Sequence, residues 1–157
     1  TGGIAYLFFK EYTNNENKRR HYILHKSLQK EVLPVKLQAY ERLTLFLERM
    51  APNNLLIRIQ PISQRKEDYE QLLIQNIEQE FEHNLAQQIY LTDECWNIIV
   101  TAKNTTIQLI RTCDSSNSTT TADKFRELIL TKSLDSPSAS STALAYLKNE
   151  VHNLLTY

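Results

Sequence analysis

Residues 67–91 read EDYEQLLIQNIEQEFEHNLAQQIYL, and this stretch decides the fold class of the chain. Its large apolar residues recur every four positions, so they lie along one slowly turning face of a helix. They are Tyr69, Leu73, Ile77, Phe81, Leu85 and Ile89. The spacing predicts a single helix over residues 66–91, roughly 39 Å long at 1.5 Å per residue.

Composition favours helices in the rest of the chain as well. The 157 residues make about one domain, and they include only two glycines and four prolines. An all-β chain would need a tight turn about every 8–12 residues, and too few turn-forming residues are present for that. We therefore predict an all-α fold, an antiparallel helical bundle with a long N-terminal helix.

The segment before this stretch predicts a second core helix. Pro34 is expected to end one helix and begin the next, because proline disfavours helical geometry in the preceding residue and suits a first helical turn. After it, apolar residues step by three and four positions up to Met50, which predicts a helix over residues 35–50. Residues 53–61 contain apolar and β-branched residues but are too few for a helix of their own, so they predict a short extended crossover near residues 55–60.

The segment after the long helix predicts a third core helix over residues 92–111. Thr92 suits an N-cap, and the two acidic residues after it suit the positive end of the helix dipole. The three helices are expected to bury five large side chains: Tyr40, Leu47, Phe81, Leu85 and Trp96. Beyond them, Ser/Thr-rich connectors at residues 112–121 and 134–141 separate the C-terminal helices.

The two cysteines lie on or beside the third core helix. Cys95 and Cys113 are 18 residues apart, or about 27 Å along one helix, which excludes a disulfide within it. Free cysteines often behave as small buried apolar residues. We therefore predict that both are buried structural thiols.

The N-terminus combines an apolar run with a basic cluster. Residues 4–9 read IAYLFF, and the cations after them include Lys10, Lys18, Arg19 and Arg20. The run is shorter than the roughly 20 apolar residues that cross a bilayer, and the chain begins with threonine, so it is predicted to end a truncated transmembrane helix. The alternative is that the first three residues are a cloning remnant and the run packs on the domain.

Four segments follow from these patterns. Residues 1–9 end the membrane helix, residues 10–33 form a basic juxtamembrane helix or arm, residues 34–112 form the helical core domain, and residues 113–157 form the Ser/Thr-linked C-terminal helices. Basic residues mark the cytoplasmic side of a membrane helix. The predicted location is therefore the inner membrane, crossed once, with the domain facing the cytoplasm.

Two blocks of sequence resemble a known family. They are residues 39–58, AYERLTLFLERMAPNNLLIR, and residues 80–96, EFEHNLAQQIYLTDECW. The chain is similar over roughly residues 1–112 to uncharacterised Bacteroidota proteins built as one N-terminal membrane helix and a helical soluble domain. The resemblance implies a membrane anchor and a domain of unknown function, and it implies no catalytic residues.

Glu80 and His83 are the best candidates for chemistry, with the Glu-x-x-His spacing of metal sites in helical bundles. A dinuclear site needs a second copy of this motif, and no other histidine has a glutamate three residues before it. Glycine-rich phosphate loops and Gly-x-Ser-x-Gly elbows are also missing from the sequence. We predict no enzyme activity, no cofactor and no small-molecule substrate; the alternative is a metal-binding or enzymatic bundle that uses this pair.

A repeated charge pair predicts a polar network between two helices. Glu41 and Arg42 recur as Glu48 and Arg49 seven residues later, so the two arginines share one face of a helix. We expect them to reach the long helix and fix its register, in a network of five residues: Arg42, Arg49, Glu80, Asn84 and Gln87. The alternative is a solvated flank whose charges contribute roughly tenths of a kcal/mol.

The predicted function is that of a membrane-anchored helical module, which binds membrane lipid through its N-terminal helix and a protein partner or itself through its domain. Formal net charge is zero, with 18 basic and 18 acidic residues. The basic arm over residues 18–36 carries too few basic residues to indicate nucleic-acid binding. Anionic lipid headgroups are the expected partners of its cations.

Overall fold

The computed structural model describes residues 2–114 and 120–156, which form six α-helices and one 3-10 helix. No strand occurs within these two ranges, so the all-α prediction is confirmed. The helices are α1 (Gly2–Met50), α2 (Pro52–Arg58), α3 (Lys66–His83), the 3-10 helix (Leu85–Tyr90), α4 (Asp93–Thr112), α5 (Ala122–Leu134) and α6 (Ala139–Leu155).

The chain divides into two compact units, Thr1–Leu37 and Gln38–Tyr157. The first unit contains the part of α1 up to residue 37, which has no second element to pack against within that unit. The second unit contains the end of α1 and all the other helices. The fold and its candidate sites are therefore built within residues 38–157.

Helix α1 passes through Pro34 without a break, so the predicted new helix at this proline is wrong. A proline inside a helix removes one backbone hydrogen bond, to the carbonyl four residues before it, and costs roughly 3 kcal/mol. Both Pro34 and Lys30 are exposed, so water can satisfy the carbonyl that loses its partner. The proline is tolerated because neither side of the lost bond is in a core.

Helix α4 is the centre of the second unit, because it packs against both α3 and α6. Its buried face includes Ile99, Ala102 and Ile110, which belong to the same core cluster as the end of α1. Helix α5 packs against α2 and α3. The C-terminal helices are thus part of the same core as residues 38–112.

Residues 52–58 form helix α2, so the predicted extended crossover near residues 55–60 is wrong over its first four positions. Pro52 occupies the first turn, where its missing N–H is not needed. Leu55 and Leu56 follow it by three and four positions and are buried with it. Seven residues are too few to show helical periodicity in the sequence. Burial of Pro52, Leu55 and Leu56 stabilises α2.

The long predicted helix over residues 66–91 is interrupted, because α3 ends at His83 and a 3-10 helix follows. At the end of α3 the backbone N–H of Asn84 bonds to the carbonyl of Phe81, and its side-chain amide donates to the carbonyl of Glu80 at 2.8 Å. These bonds satisfy carbonyls that would otherwise lack partners at a helix end. With this change of geometry, Leu85, a predicted core residue, and Ile89 of the same apolar face are both exposed to solvent.

The N-terminal cap predicted at Thr92 is confirmed, since its Oγ1 accepts the backbone N–H of Cys95 at 3.2 Å. Thr121 and Ser138 cap α5 and α6 in the same way, each accepting an N–H three residues later. Such caps are worth about 1 kcal/mol. All three helices of the C-terminal half therefore begin on a hydroxyl.

The predicted connectors lie where α4, α5 and α6 are joined, but the second is shorter than the predicted residues 134–141, because α5 ends at Leu134 and α6 begins at Ala139. Residues 115–119 of the first connector lie outside the described residues, and residues 135–138 join α5 to α6. The backbone N–H of Ala122 bonds to the carbonyl of Gln64 at 3.0 Å, beside an isolated antiparallel bridge between Arg65 and Thr121. This pairing ties the start of α5 to the start of α3.

Among the five side chains predicted for the core, Tyr40 and Leu47 are buried. Phe81 and Trp96 are half-buried at its edge, and they stack on each other with ring centroids 5.3 Å apart. Leu85 is exposed, so its assignment to the core is wrong. Leu85 is exposed because it lies in the 3-10 helix and not in a continuation of α3.

We expect Leu73→Ala and Leu85→Ala to differ sharply in stability. Leu73 is 0% exposed in α3 and Leu85 is 40% exposed, so only the first substitution leaves a cavity in the core. Leu73→Ala should lower the free energy of unfolding by about 2–5 kcal/mol, and Leu85→Ala by less than about 1 kcal/mol. Urea unfolding followed by circular dichroism measures both. Equal losses would mean that α3 continues beyond His83.

Candidate functional site

An ion pair joins the end of α1 to the end of α3. Arg49 donates to Oε1 of Glu80 from Nε at 2.9 Å and from Nη2 at 2.6 Å. The hydrogen bond with Glu80 raises the pKa of the Arg49 guanidinium, so the charged form is favoured there. The structure thus brings together two of the five residues of the predicted network.

A second arginine, Arg58 of α2, approaches the same oxygen of Glu80, with Nη1 at 3.3 Å. It also donates to Oδ1 of Asn76 at 3.0 Å and to the carbonyl of Arg49 at 3.3 Å. Burial lowers the pKa of Arg58, Glu80 opposes that effect, and the like charge of Arg49 adds to it. One carboxylate is therefore shared by two guanidinium groups.

The other residues of the predicted network lie close by, with different contacts. Asn84 bonds to the backbone of Glu80 and not to an arginine. Arg42 lines the same groove as Arg49 and Glu80, while Gln87 belongs to the 3-10 helix. Within residues 2–114 and 120–156, no hydrogen bond joins Arg42 or Gln87 to Glu80.

The proposed metal pair, Glu80 and His83, occupies this region as well. The carboxylate of Glu80 is engaged by the two arginines, and His83 is exposed at the end of α3. Across the described part of the chain, no group of three or more histidine, cysteine or acidic side chains is placed to hold a metal ion. The arrangement favours charge neutralisation of Glu80 by arginine.

A second polar cluster, which the sequence did not predict, surrounds Glu150 of α6. Its Oε2 accepts the hydroxyl of Tyr40 at 2.6 Å, and its Oε1 accepts the hydroxyl of Thr92 at 2.6 Å. Thr92 is also the N-cap of α4, so its hydroxyl donates to Glu150 and accepts the backbone N–H of Cys95. The cluster ties α1, α4 and α6 together through a single carboxylate.

Both cysteines are free and buried, as predicted. Burial raises the pKa of Cys95 to about 12, and the adjacent negative charge of Glu150 adds to the effect. Burial also raises the pKa of Cys113. Since the thiolate is the reactive form of cysteine, neither thiol is arranged as a nucleophile.

A buried lysine lies against the aromatic residues at the α3–α4 contact. Lys103 is 9% exposed, and its Nζ pairs with Glu78 at 3.1 Å and lies 4.5 Å from the ring centre of Phe81. Phe81 is stacked on Trp96 and packs on Phe46 of α1, with centroids 5.8 Å apart. An ion pair together with a cation–π contact compensates for the burial of this charge.

The predicted membrane-proximal cations all lie in the first unit and are exposed: Lys10, Lys18, Arg19 and Arg20. Arg20 pairs with Glu16 one turn before it, at 3.4 Å. In the described part of the chain, no helix combines the length and the apolar character required to span a membrane.

The profile of a family described as "Family of unknown function (DUF7935)" matches residues 1–154 of the chain. No curated protein matches the chain, and no solved structure matches it.

A double-mutant cycle on Arg49→Ala and Glu80→Ala should give a coupling of about 1 kcal/mol. The two side chains are 42% and 20% exposed, so solvent screens the pair, and Arg58 still neutralises Glu80 when Arg49 is removed. Urea unfolding measures each variant. The cycle of Arg42→Ala with Glu80→Ala is the matched control and should couple by less than about 0.3 kcal/mol. A similarly small coupling for Arg49 would contradict the described contact.

Stability should fall as the pH rises from about 9 towards 12, and part of that fall should depend on Cys95. The pKa of Cys95 is raised from 9.0 to about 12 by folding, so the thiol stays protonated in the folded state while it ionises in the unfolded state. This contribution is complete below pH 9 and is lost as the pH approaches 12. Urea midpoints at pH 8 and 10.5 should therefore differ less for Cys95→Ala than for the parent chain. An unchanged difference would overturn the assignment.

Proposed function

The chain belongs to the DUF7935 family, and because that family is described as one of unknown function, we propose a function from the structure itself. We propose a membrane-tethered helical module, in which the start of α1 inserts into lipid and residues 38–157 bind a protein partner. The basic residues of α1 face anionic headgroups on the cytoplasmic side of the inner membrane.

The observation that carries this proposal is the exposure of the large apolar side chains near the N-terminus. All six are between 63% and 71% exposed: Ile4, Tyr6, Leu7, Phe8, Phe9 and Tyr12. Complete burial of one such side chain is worth about 1.5–3 kcal/mol. Contiguous exposed apolar surface of this kind marks an interaction site with a membrane or another protein.

The charges that follow favour a membrane over a protein as the contact of this segment. Lys10 directly follows the apolar run, and Lys18, Arg19 and Arg20 come two to three helical turns later. Each basic residue near an anionic leaflet contributes about 1 kcal/mol. Aromatic rings such as Tyr6 and Tyr12 suit the interface between headgroups and hydrocarbon.

A second copy of the chain is an alternative binding partner for α1. Leu24, Leu28, Val32 and Val35 are all exposed and are spaced by three or four residues. That spacing places them on one side of the helix, as in a helix–helix contact. Self-association would bury this second surface and leave the first apolar run exposed.

Vesicle binding tests the lipid contact. The 157-residue chain should co-sediment with phosphatidylcholine–phosphatidylglycerol vesicles, and Phe8→Ser with Phe9→Ser should weaken binding at least about tenfold, because two insertion side chains are lost. Ile57→Ser with Ile62→Ser is the matched control, since these side chains are equally exposed in the second unit. A parent chain that stays in the supernatant, or a control that loses binding to the same extent, contradicts the proposal.

The orientation has a separate test in cells. A membrane-bound chain with its domain in the cytoplasm should resist protease added to intact spheroplasts and be digested after lysis. Replacing Lys10, Lys18, Arg19 and Arg20 by glutamine should lower the fraction of the chain that sediments with membranes, because these cations contact anionic headgroups. Digestion of the parent chain in intact spheroplasts would contradict a cytoplasmic domain.

A further inference from the structure

A small groove lies between the last turns of α1 and the end of α3, within the second unit. Its volume is about 250 Å³, and the side chains that define its walls are Arg42, Leu45 and Arg49 from α1 and Glu80 and His83 from α3. Phe46 also lines it and is buried. The groove therefore combines guanidinium groups with an apolar surface.

Positive charge exceeds negative charge among the lining residues. Glu80 is the one carboxylate in the lining; its Oε1 accepts two N–H groups from Arg49 and forms an ion pair with Nη1 of Arg58 at 3.3 Å. Arg42 adds a third guanidinium at the edge, and none of the hydrogen bonds among the described residues engages it. The neighbouring carboxylates of Glu41, Glu48 and Glu82 are exposed and do not line the groove. An anionic group is the complementary occupant.

The apolar part of the groove indicates that the occupant is not a simple anion. Leu45 is 60% exposed on α1, although Phe46 beside it is in the core. An apolar group laid against Leu45 would remove this side chain from water. The occupant should therefore carry a carboxylate and an apolar group close together.

The size of the groove restricts the occupant further. Pockets for drug-sized ligands are usually about 300–1,000 Å³, so 250 Å³ suits something near the size of one amino-acid residue. A C-terminal residue carries its carboxylate and its side chain on the same Cα. An internal acidic residue would need a separate neighbour to supply the apolar group.

We propose that this groove binds the C-terminal residue of a partner protein, an apolar residue whose free carboxylate pairs with Arg42 and Arg49. Arginine binds carboxylates in a planar, two-bond geometry, and capture of a chain terminus is a recurring mode of peptide recognition. The apolar side chain lies on Leu45. The inference rests on the protein-binding part of the proposed function and is independent of the lipid contact.

N-acetyl-leucine is the probe, because it reproduces a leucine chain end and matches the size of the groove. In ¹H–¹⁵N spectra of the full chain, it should cause saturable shifts at the side-chain Nε–H groups of Arg42 and Arg49 and at the backbone of His83. N-acetyl-leucinamide lacks the carboxylate and should bind at least about tenfold more weakly, as should acetate, which lacks the apolar group. Equal binding of the amide or of acetate would overturn the proposal, and so would no saturation with N-acetyl-leucine.

Arg42→Gln is the variant that tests the site without disturbing Glu80. It should weaken binding of N-acetyl-leucine about tenfold and leave the urea midpoint unchanged. Arg111→Gln is the matched control, an exposed arginine at the end of α4, and should bind like the parent chain. Equal affinity of the two variants would overturn the proposal. Vesicle binding of the same proteins is a separate readout, so failure of the groove and failure of the membrane tether are distinguishable.

Discussion

The fold depends on one constraint of the backbone: within the described residues, helices meet without a left-handed residue. Both glycines of the chain are at positions 2 and 3, inside α1, and no residue in the described ranges has a positive φ. Helices commonly end on a left-handed glycine, which turns the chain sharply. In the described parts of the chain that ending is not used, and proline, hydroxyl caps or a 3-10 turn occur where helices meet.

Several polar contacts lie at these junctions. A single residue, Ala51, separates α1 from α2, so Arg58 returns to the end of α1 and bonds to the carbonyl of Arg49. Asn84 closes α3 on the carbonyl of Glu80 before the 3-10 helix begins. The cap of α4 likewise places Thr92 against Glu150. Groups that end or begin helices therefore also join helices to one another.

The sequence predicted those features that repeat over several turns of one helix. The helical class, the start of α4 at Thr92 and burial of Tyr40 and Leu47 follow from periodic apolar residues and a cap. The seven-residue repeat ending in Arg49 led to Glu80, and the structure brings these two side chains together. Patterns within one helix can be recognised in the sequence because residues three and four positions apart share a face of the helix.

Other features depend on partners far away in the sequence and were missed for that reason. Helix α2 is too short to show a period, and without it Arg58 could not be assigned to Glu80. The end of α3 at His83 is set by local hydrogen bonds of Asn84, whereas the apolar spacing continues past it to Ile89. The contact of Tyr40 with Glu150 joins residues 110 positions apart, and nothing in either neighbourhood marks it.

The buried thiols make the native chain suitable for site-specific labelling. Maleimides and similar reagents attack the thiolate, and both native cysteines are buried with a raised pKa. A cysteine introduced at an exposed position keeps its ordinary acidity and should react alone at neutral pH. Fluorophores or spin labels can therefore be attached one at a time to the folded protein, with Cys95 and Cys113 left in place.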